Sequence, residues 1–255
     1  MTEPSPVARR TPVRPSPIFL GLVALAVASG WALWNGIGST GVLLFIFVIV
    51  SWVVTLSLHE FAHAAVAYRY GDHSVAFRGY LTLNPLKYTH AVLSIVLPLV
   101  FLILGRIGLP GGAVFIDRRA LRSRFASTAV SAAGPLTNAL VAVILGVAIA
   151  LRGADTPFWA AVSFLAFLQV TAAILNLLPV PGLDGFGIIE PYLSAGWRAR
   201  ASQVGPFGII ILFGLLWIPQ VNVAFFSGIL GFLGFLGVPQ GLVAAGYVLF
   251  RFWEQ

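Results

Sequence analysis

Cysteine is absent from this 255-residue sequence, and charged residues are scarce, at 9% of the chain. Without cysteine there is no disulfide, no thiolate metal site and no cysteine nucleophile. Soluble domains carry about 25% charged residues, so a chain that is 59% hydrophobic has too little polar surface for an ordinary soluble protein. A disordered chain is excluded because such chains have low hydrophobicity. What remains is a polytopic helical membrane protein embedded in a lipid bilayer.

Most of the few charges are positive: the chain has 15 Lys and Arg but only 8 Asp and Glu, for a net charge of +7. The basic residues fall in short clusters between apolar runs, so they form no continuous basic surface and we expect no nucleic-acid partner. Such clusters are typical of cytoplasmic loops. Segments 69–90 and 106–127 hold eight of them and are therefore predicted to be cytoplasmic. Arg9, Arg10 and Arg14 place the N-terminus on the same side.

The apolar runs predict about six transmembrane helices, because a spanning helix needs about 20 residues. Stretch 204–253 is apolar but is interrupted at Pro219 and Pro239, so it holds two or three spans. Four further runs have spanning length: 18–34, 41–68, 128–151 and 157–178. The predicted fold class is thus an all-α polytopic membrane protein. We expect residues 1–16 to be a disordered basic tail and residues 17–255 to form a single membrane domain.

Run 91–105 is too short to cross comfortably, and we expect it to dip into the membrane from the cytoplasmic side or to lie at its surface. The predicted fold thus includes a short re-entrant or β-like segment on the cytoplasmic side. Fifteen helical residues cover only about 22 Å of a core about 30 Å thick. A full crossing would also place the arginines of 106–127 outside, against the positive-inside tendency.

Three ionisable residues interrupt the apolar run that starts at Gly41: His59, Glu60 and His63. Ionisable residues inside a membrane helix are costly and mark function. The two histidines are four residues apart, so they share one helical face. This is the H-E-x-x-H pattern, in which two imidazoles bind zinc and the Glu acts as the base. The alternative is a pair of packing or capping histidines with a solvated Glu60; the apolar surroundings favour zinc.

A catalytic zinc takes three protein ligands, and the best candidate for the third is Asp184. It lies in NLLPVPGLDGFGIIE, where Pro179, Pro181 and three glycines break the helix although most side chains remain apolar. Broken backbone at membrane depth is tolerated only where protein or a water-filled cavity satisfies it. The alternative is a simple turn in which Asp184 caps the next helix.

These two motifs together resemble the site-2 proteases, a family of intramembrane zinc metalloproteases. The likeness rests on His59-Glu60-x-x-His63 and on Asn176-x-x-Pro179-x-Pro181-x-x-Asp184-Gly185, and it covers roughly residues 50–190. Weaker matches are Ala133-Gly134-Pro135-Leu136-Thr137-Asn138 and the TLNPLK string at 82–87.

The resemblance implies that His59, His63 and Asp184 hold Zn²⁺, that Glu60 is the general base and that Asn176 helps to hold the extended substrate strand. It also implies a single-span membrane-protein substrate, cut in or near its transmembrane segment during regulated intramembrane proteolysis. Gly- and Pro-rich backbone at 176–187 and the polar piece 76–83 are expected to offer strand edges to an unwound substrate.

The resemblance further implies that this multi-pass protein lies in a bacterial cell membrane, where its N-terminal arginines place the N-terminus in the cytoplasm. PDZ or CBS domains, which many members carry, are not expected, because the loop at 152–156 is short and the sequence ends just after an apolar run. The oligomeric state is not indicated.

Two other functions are compatible with buried His and Asp residues in broken membrane helices. A metal-ion transporter or channel would place ionisable residues on several spans at different depths, whereas this chain has one cluster and one Asp. A non-catalytic membrane scaffold of the same fold would have no use for Glu60.

Overall fold

The computed structural model describes residues 14–88 and 114–254. Within these ranges the chain is helical and contains no strand. In chain order the helices are α1 (Pro17–Trp34), α2 (Thr40–Arg69), α3 (Ser74–Phe77), α4 (Arg124–Arg152), α5 (Pro157–Leu177), α6 (Asp184–Ile189), α7 (Ala195–Leu216), α8 (Pro219–Phe235) and α9 (Gln240–Phe250). Short 3₁₀ turns lie at Tyr80–Thr82, Pro85–Lys87, Glu190–Tyr192 and Phe252–Glu254.

Four helices, α1, α2, α4 and α5, are long and apolar enough to cross a membrane. Two bent pairs raise the number to six if each forms one span: the halves of α7, which meet at 72°, and α8 with α9, which meet at 119°. The predicted all-α polytopic membrane fold is confirmed. The four long helices also match the four predicted runs to within a few residues, apart from the earlier start of α4.

The helix ends follow the local chemistry of the sequence. Ser16 accepts a hydrogen bond from the Phe19 amide at the start of α1, and Ser123 does the same for Ala126 at the start of α4. Pro219 opens α8 and Pro239 precedes α9, as expected of a residue that starts helices but cannot continue them. These two prolines therefore account for the breaks in the last apolar stretch.

Helix α5 lies at the centre of the bundle. It packs against α1, α2, α4, α6, α8 and α9, and two apolar clusters meet along it. One polar contact joins it to α2, since the Gln169 side chain donates to Thr55 Oγ1 at 2.8 Å. Thr55 lies one turn before His59, so this buried contact fixes the histidine-bearing part of α2 against the central helix.

Three other sequence predictions have different outcomes: one lies outside the described residues, one is wrong and one places a helix start too late. Run 91–105, predicted as re-entrant or β-like, lies outside the described residues. The expectation of a strand edge at 76–83 is wrong, because the piece is helical at Ser74–Phe77 and again at Tyr80–Thr82. Helix α7 begins at Ala195, ahead of the predicted start at 204. The prediction was based on the apolar run, which begins only after Arg198 and Arg200, whereas the helix includes them.

Candidate metal centre

The first two candidate metal ligands come from consecutive turns of α2. His59 and His63 are 3% and 6% exposed, and their Nε2 atoms lie 3.1 Å apart. The spacing of four residues places one ring above the other on the face of α2 that packs against α4. Two imidazole nitrogens thus converge inside the bundle, as the sequence predicted.

The third side chain, Asp184, follows the non-helical segment after α5. The helix ends at Leu177, and the chain turns through Leu178–Leu183, where Gly182 has a φ of +99°. Asp184 is the first residue of α6, and its Oδ2 lies 3.4 Å from His59 Nε2 and 3.3 Å from His63 Nε2. One ligand atom from each of the three residues lies within 4.8 Å of the others.

The space around these atoms fits a metal ion. Gly134 on α4 faces the ligand nitrogens, and a Cβ built on it would overlap His63 Nε2 and lie 2.5 Å from His59 Nε2. Only a residue without a side chain leaves this space open. Two imidazoles and one carboxylate are a donor set that zinc uses in catalytic sites, with a fourth position left for water.

A further hydrogen bond orients the ring of His63. Its Nδ1 lies 2.6 Å from the carbonyl oxygen of Val130 on α4, and only a protonated Nδ1 can donate to that acceptor. The tautomer leaves Nε2 free to bind a metal. Such outer contacts fix ligand orientation in metal sites. Among the described residues, Nδ1 of His59 has no hydrogen-bond partner.

Glu60 lies beside the three ligand atoms and not among them. It is 2% exposed, and its Oε1 lies 4.0 Å from His59 Nε2. Its Oε2 has no hydrogen-bond partner in the described part of the chain. A buried carboxylate with a free oxygen next to a metal site is placed to accept a proton.

Two buried amides lie on the helices that surround the site. Asn176, in the last turn of α5, is 7% exposed, and Asn138 on α4 is 5% exposed. Asn138 follows Gly134 by one helical turn, so it continues the face that meets the histidines. Each amide offers two donor hydrogens and an acceptor oxygen, which a ligand beside the site can use.

The residue that directly follows the TLNPLK string, Tyr88, contacts α2. Tyr88, which is 3% exposed, donates its hydroxyl hydrogen to the carbonyl of Ser57 at 2.9 Å. Burial raises the pKa of the Tyr88 hydroxyl, and the nearby Glu60 carboxylate raises it further, so the group remains a donor. The contact ties this string to the turn of α2 that precedes Glu60.

The predicted ligands His59, His63 and Asp184 meet in space, with Glu60 next to them. Gly134 and Val130 shape and orient the site from α4. Sequence reasoning quoted Gly134 only within the weaker match at 133–138 and gave it no role, and it missed Val130. A signal existed in the Ala132-Ala133-Gly134 run of small residues, which indicates a close helix contact, but a sequence does not say what that contact faces.

The fold and the site define a class: a polytopic helical membrane protein with a buried H-E-x-x-H metal centre completed by an aspartate from a later helix. Comparison with known proteins agrees with this class. The chain is 46% identical over 251 residues to "Putative zinc metalloprotease Rip2" of Mycolicibacterium smegmatis, which covers 96% of each chain. It is 44% identical over 258 residues to the protein of the same name from Mycobacterium tuberculosis (strain H37Rv), which covers 98% of each.

A more distant relative, "Putative zinc metalloprotease YwhC" of Bacillus subtilis, is 31% identical over 183 residues, covering 68% of this chain and 81% of the relative. The chain therefore belongs to this family of zinc metalloproteases. Family membership and the cluster of His59, His63 and Asp184 together agree with the predicted zinc cofactor. No family model matches the sequence, and no solved structure matches it.

Proposed function

We propose that this protein is a zinc-dependent intramembrane endopeptidase of the site-2 protease type. Its substrate is a single-span membrane protein, which it cuts in or near the transmembrane segment. The observation that carries the proposal is the buried Glu60 carboxylate beside a cluster of two histidines and one aspartate. Hydrolysis by a metalloprotease needs such a division of labour between ligands and base.

The depth of the site along α2 supports cleavage within the membrane. Helix α2 has 30 residues, which is about 45 Å and longer than a hydrocarbon core about 30 Å thick. His59 lies ten residues before the end of α2 at Arg69, or about 15 Å along the axis. With Arg69 at the cytoplasmic surface, the ligands lie inside the core, towards its cytoplasmic side.

In the proposed mechanism His59, His63 and Asp184 hold the zinc ion, and Glu60 moves the proton. Zinc supplies Lewis acidity, which polarises a carbonyl and makes a water reactive near neutral pH. Glu60 accepts the proton of the attacking water and returns it to the leaving amine. Both transfers require Glu60 to remain off the metal, and its free Oε2 suits that role.

The substrate helix has to unwind before it reacts, because a helical peptide bond is covered by its own hydrogen bonds and side chains. We assign Asn176 to the unwound strand, since its buried amide offers both a donor and an acceptor. The irregular backbone at Leu178–Leu183, between Asn176 and Asp184, offers further hydrogen-bonding groups at the same place.

A metal-ion transporter is the weaker candidate. A conduction path would need ionisable groups at several depths. Among the described residues, the buried histidine and carboxylate side chains are His59, Glu60, His63 and Asp72, and Asp72 lies beyond the end of α2. The buried charge in the described spanning helices is therefore confined to one place, as in an enzyme.

We further propose a compact protease that lies in a bacterial cell membrane with its N-terminus in the cytoplasm. The turn between α4 and α5 is only Gly153–Thr156, which is too short to hold a PDZ domain. The arginines before α4 and the nearly charge-free turns at the other end of the helices support this orientation. The division into a basic tail at 1–16 and one membrane domain at 17–255 remains a prediction.

The test is cleavage of a single-span membrane protein by the purified full chain in detergent or liposomes. We expect cleavage by the zinc-loaded protein, none after the metal is removed with a chelator, and recovery when zinc is restored. Asp155→Asn, in the exposed α4–α5 turn, serves as the control and should cleave like the wild type. Cleavage that persists in fully metal-free protein would overturn the proposal.

A further inference from the structure

The third ligand lies on the least extensive element of the site. Helix α6 has only six residues, and Asp184 is its first. The position of Asp184 therefore depends on what holds α6 in place. One contact comes from α4, where Thr128 Oγ1 donates to the carbonyl of Ile188 at 2.9 Å. Gly187 packs so closely that a Cβ on it would lie 2.5 Å from Ser131 Oγ and 2.9 Å from Arg118 Nη2.

Arg118 lies between α4 and the end of α6. Its Nη1 donates to Ser127 Oγ at 2.6 Å and its Nη2 donates to Ser131 Oγ at 3.2 Å. Nη1 also lies 3.7 Å from Oε2 of Glu190, the residue that follows α6. One guanidinium thus contacts two turns of α4 and the C-terminal end of the segment that carries Asp184.

The residues around Arg118 are also attached to the end of α2. The backbone amide of Asp117 donates to Asp72 Oδ2 at 2.8 Å, and the amide of Arg122 donates to the carbonyl of Tyr70 at 3.2 Å. Asp72 is 1% exposed, and its Oδ1 accepts two hydrogen bonds from Ser74. This acceptor is therefore fixed, and α2 is the helix that carries both histidine ligands.

We propose that Arg118 is a positioning residue for the metal centre. Through Asp117 and Asp72 on one side, and through Ser127, Ser131 and Glu190 on the other, it holds α6 at a fixed distance from the end of α2. That distance keeps Asp184 Oδ2 within reach of both histidines. The consequence for cleavage rests on the proposed function, whereas the consequence for metal binding does not.

The contacts differ in expected strength. The Arg118 and Glu190 side chains are 44% and 33% exposed, so their ion pair is screened by solvent and contributes little. Hydrogen bonds from a charged donor to the two serines are stronger, and they fix the guanidinium in the position against which Gly187 of α6 packs. Loss of a group that hydrogen-bonds a metal ligand typically weakens affinity about 10–100-fold, and Arg118 acts one residue further from the ligands, so the lower limit applies. We therefore expect about tenfold weaker zinc binding for Arg118→Ala and a change below about threefold for Glu190→Gln.

The experiment measures zinc affinity of the full-length protein in detergent by competition with a chromophoric chelator, and the absorption spectrum of the Co²⁺-substituted protein. Arg119→Ala, at the exposed neighbouring residue, is the matched control and should match the wild type in both. Arg118→Ala should bind zinc about tenfold more weakly and shift the Co²⁺ bands, and Arg118→Lys should restore only part of the affinity. A purely structural role would lower thermal stability without moving the Co²⁺ bands.

A second variant keeps the test decisive if Arg118→Ala does not fold. Ser127→Ala with Ser131→Ala removes both acceptors but keeps the arginine, and we expect several-fold weaker zinc binding. Wild-type affinity and an unchanged Co²⁺ spectrum in whichever variants fold would overturn the positioning role. That outcome would leave the proposed protease intact, since cleavage and its loss with metal are measured separately.

Discussion

Gly134 lies so close to His63 that a methyl group on its Cα would overlap the imidazole Nε2. The same helix holds the other side of the ring, because the carbonyl of Val130 accepts from Nδ1 at 2.6 Å. Residues one helical turn apart on α4 thus fix the tautomer of His63 and leave the space in front of its free nitrogen.

Gly134→Ala should therefore abolish or strongly weaken zinc binding. The added Cβ would fill the space of the ion and would meet side-chain nitrogens that are already buried, so the rings must move. Metal content after purification, compared with the wild type, is the measurement.

Gly231→Ala is the matched control, since a Cβ there has no heavy atom within 4 Å. It should retain wild-type zinc. A Gly134→Ala protein that holds a full equivalent of zinc would show that the space over the histidines is not needed for the ion.

The second prediction concerns the kinetic effect of replacing Asn176 or Asn138. Each is buried near the metal centre and offers both donors and an acceptor, so a bound substrate strand can pair with it. Replacing Asn176 with Ala should raise KM or lower kcat/KM by about tenfold, the order expected for loss of one or two hydrogen bonds. Zinc content should not change. We expect a smaller effect in the same direction for Asn138→Ala.

Cleavage kinetics with a single-span substrate check this prediction, with Asn35→Ala as the control. Asn35 lies in the exposed turn after α1 and donates to the carbonyl of Trp31 at 2.8 Å. Equal kinetic constants for Asn176→Ala and the control would remove Asn176 from the substrate site.

Much of the site followed from short-range patterns in the sequence. The spacing of His59 and His63 specifies one face of one helix, and the prolines and glycines before Asp184 mark a break whose only charge is that carboxylate. Such features are local, so a sequence displays them directly.

The rest depends on contacts between distant segments. Gly134 faces His63 because of how α4 crosses α2. Arg118 reaches Ser127, Ser131 and Glu190 because the segment 114–123 folds against the first turns of α4. No hydrophobic periodicity in the sequence predicts either contact. The early start of α7 was missed for another reason. Its first turns contain exposed arginines, so the apolar run from which the helix was predicted begins later than the helix.

The orientation of the protein gives a third prediction. Helix α4 runs from Arg124 to Arg152, so exposed positions just before and just after it lie on opposite sides of the membrane. The chain has no native cysteine, so Arg119→Cys and Ala154→Cys each provide a single label site. In intact cells an impermeant thiol reagent should label position 154 and not position 119.

Labelling of both positions after the membrane is permeabilised is the control for accessibility. External labelling at 119 would place the arginines before α4 outside, and it would require residues 91–105 to cross the membrane fully.

The central claim, that Glu60 is the base of a zinc protease and not one of its ligands, is tested most directly by Glu60→Gln. Zinc content and cleavage of a single-span membrane protein are measured on the same purified sample, beside Asp184→Asn. We predict that Glu60→Gln keeps about one zinc per chain and loses cleavage by at least about 100-fold, whereas Asp184→Asn loses metal and cleavage together. A Glu60→Gln protein that cleaves at the wild-type rate would contradict the account.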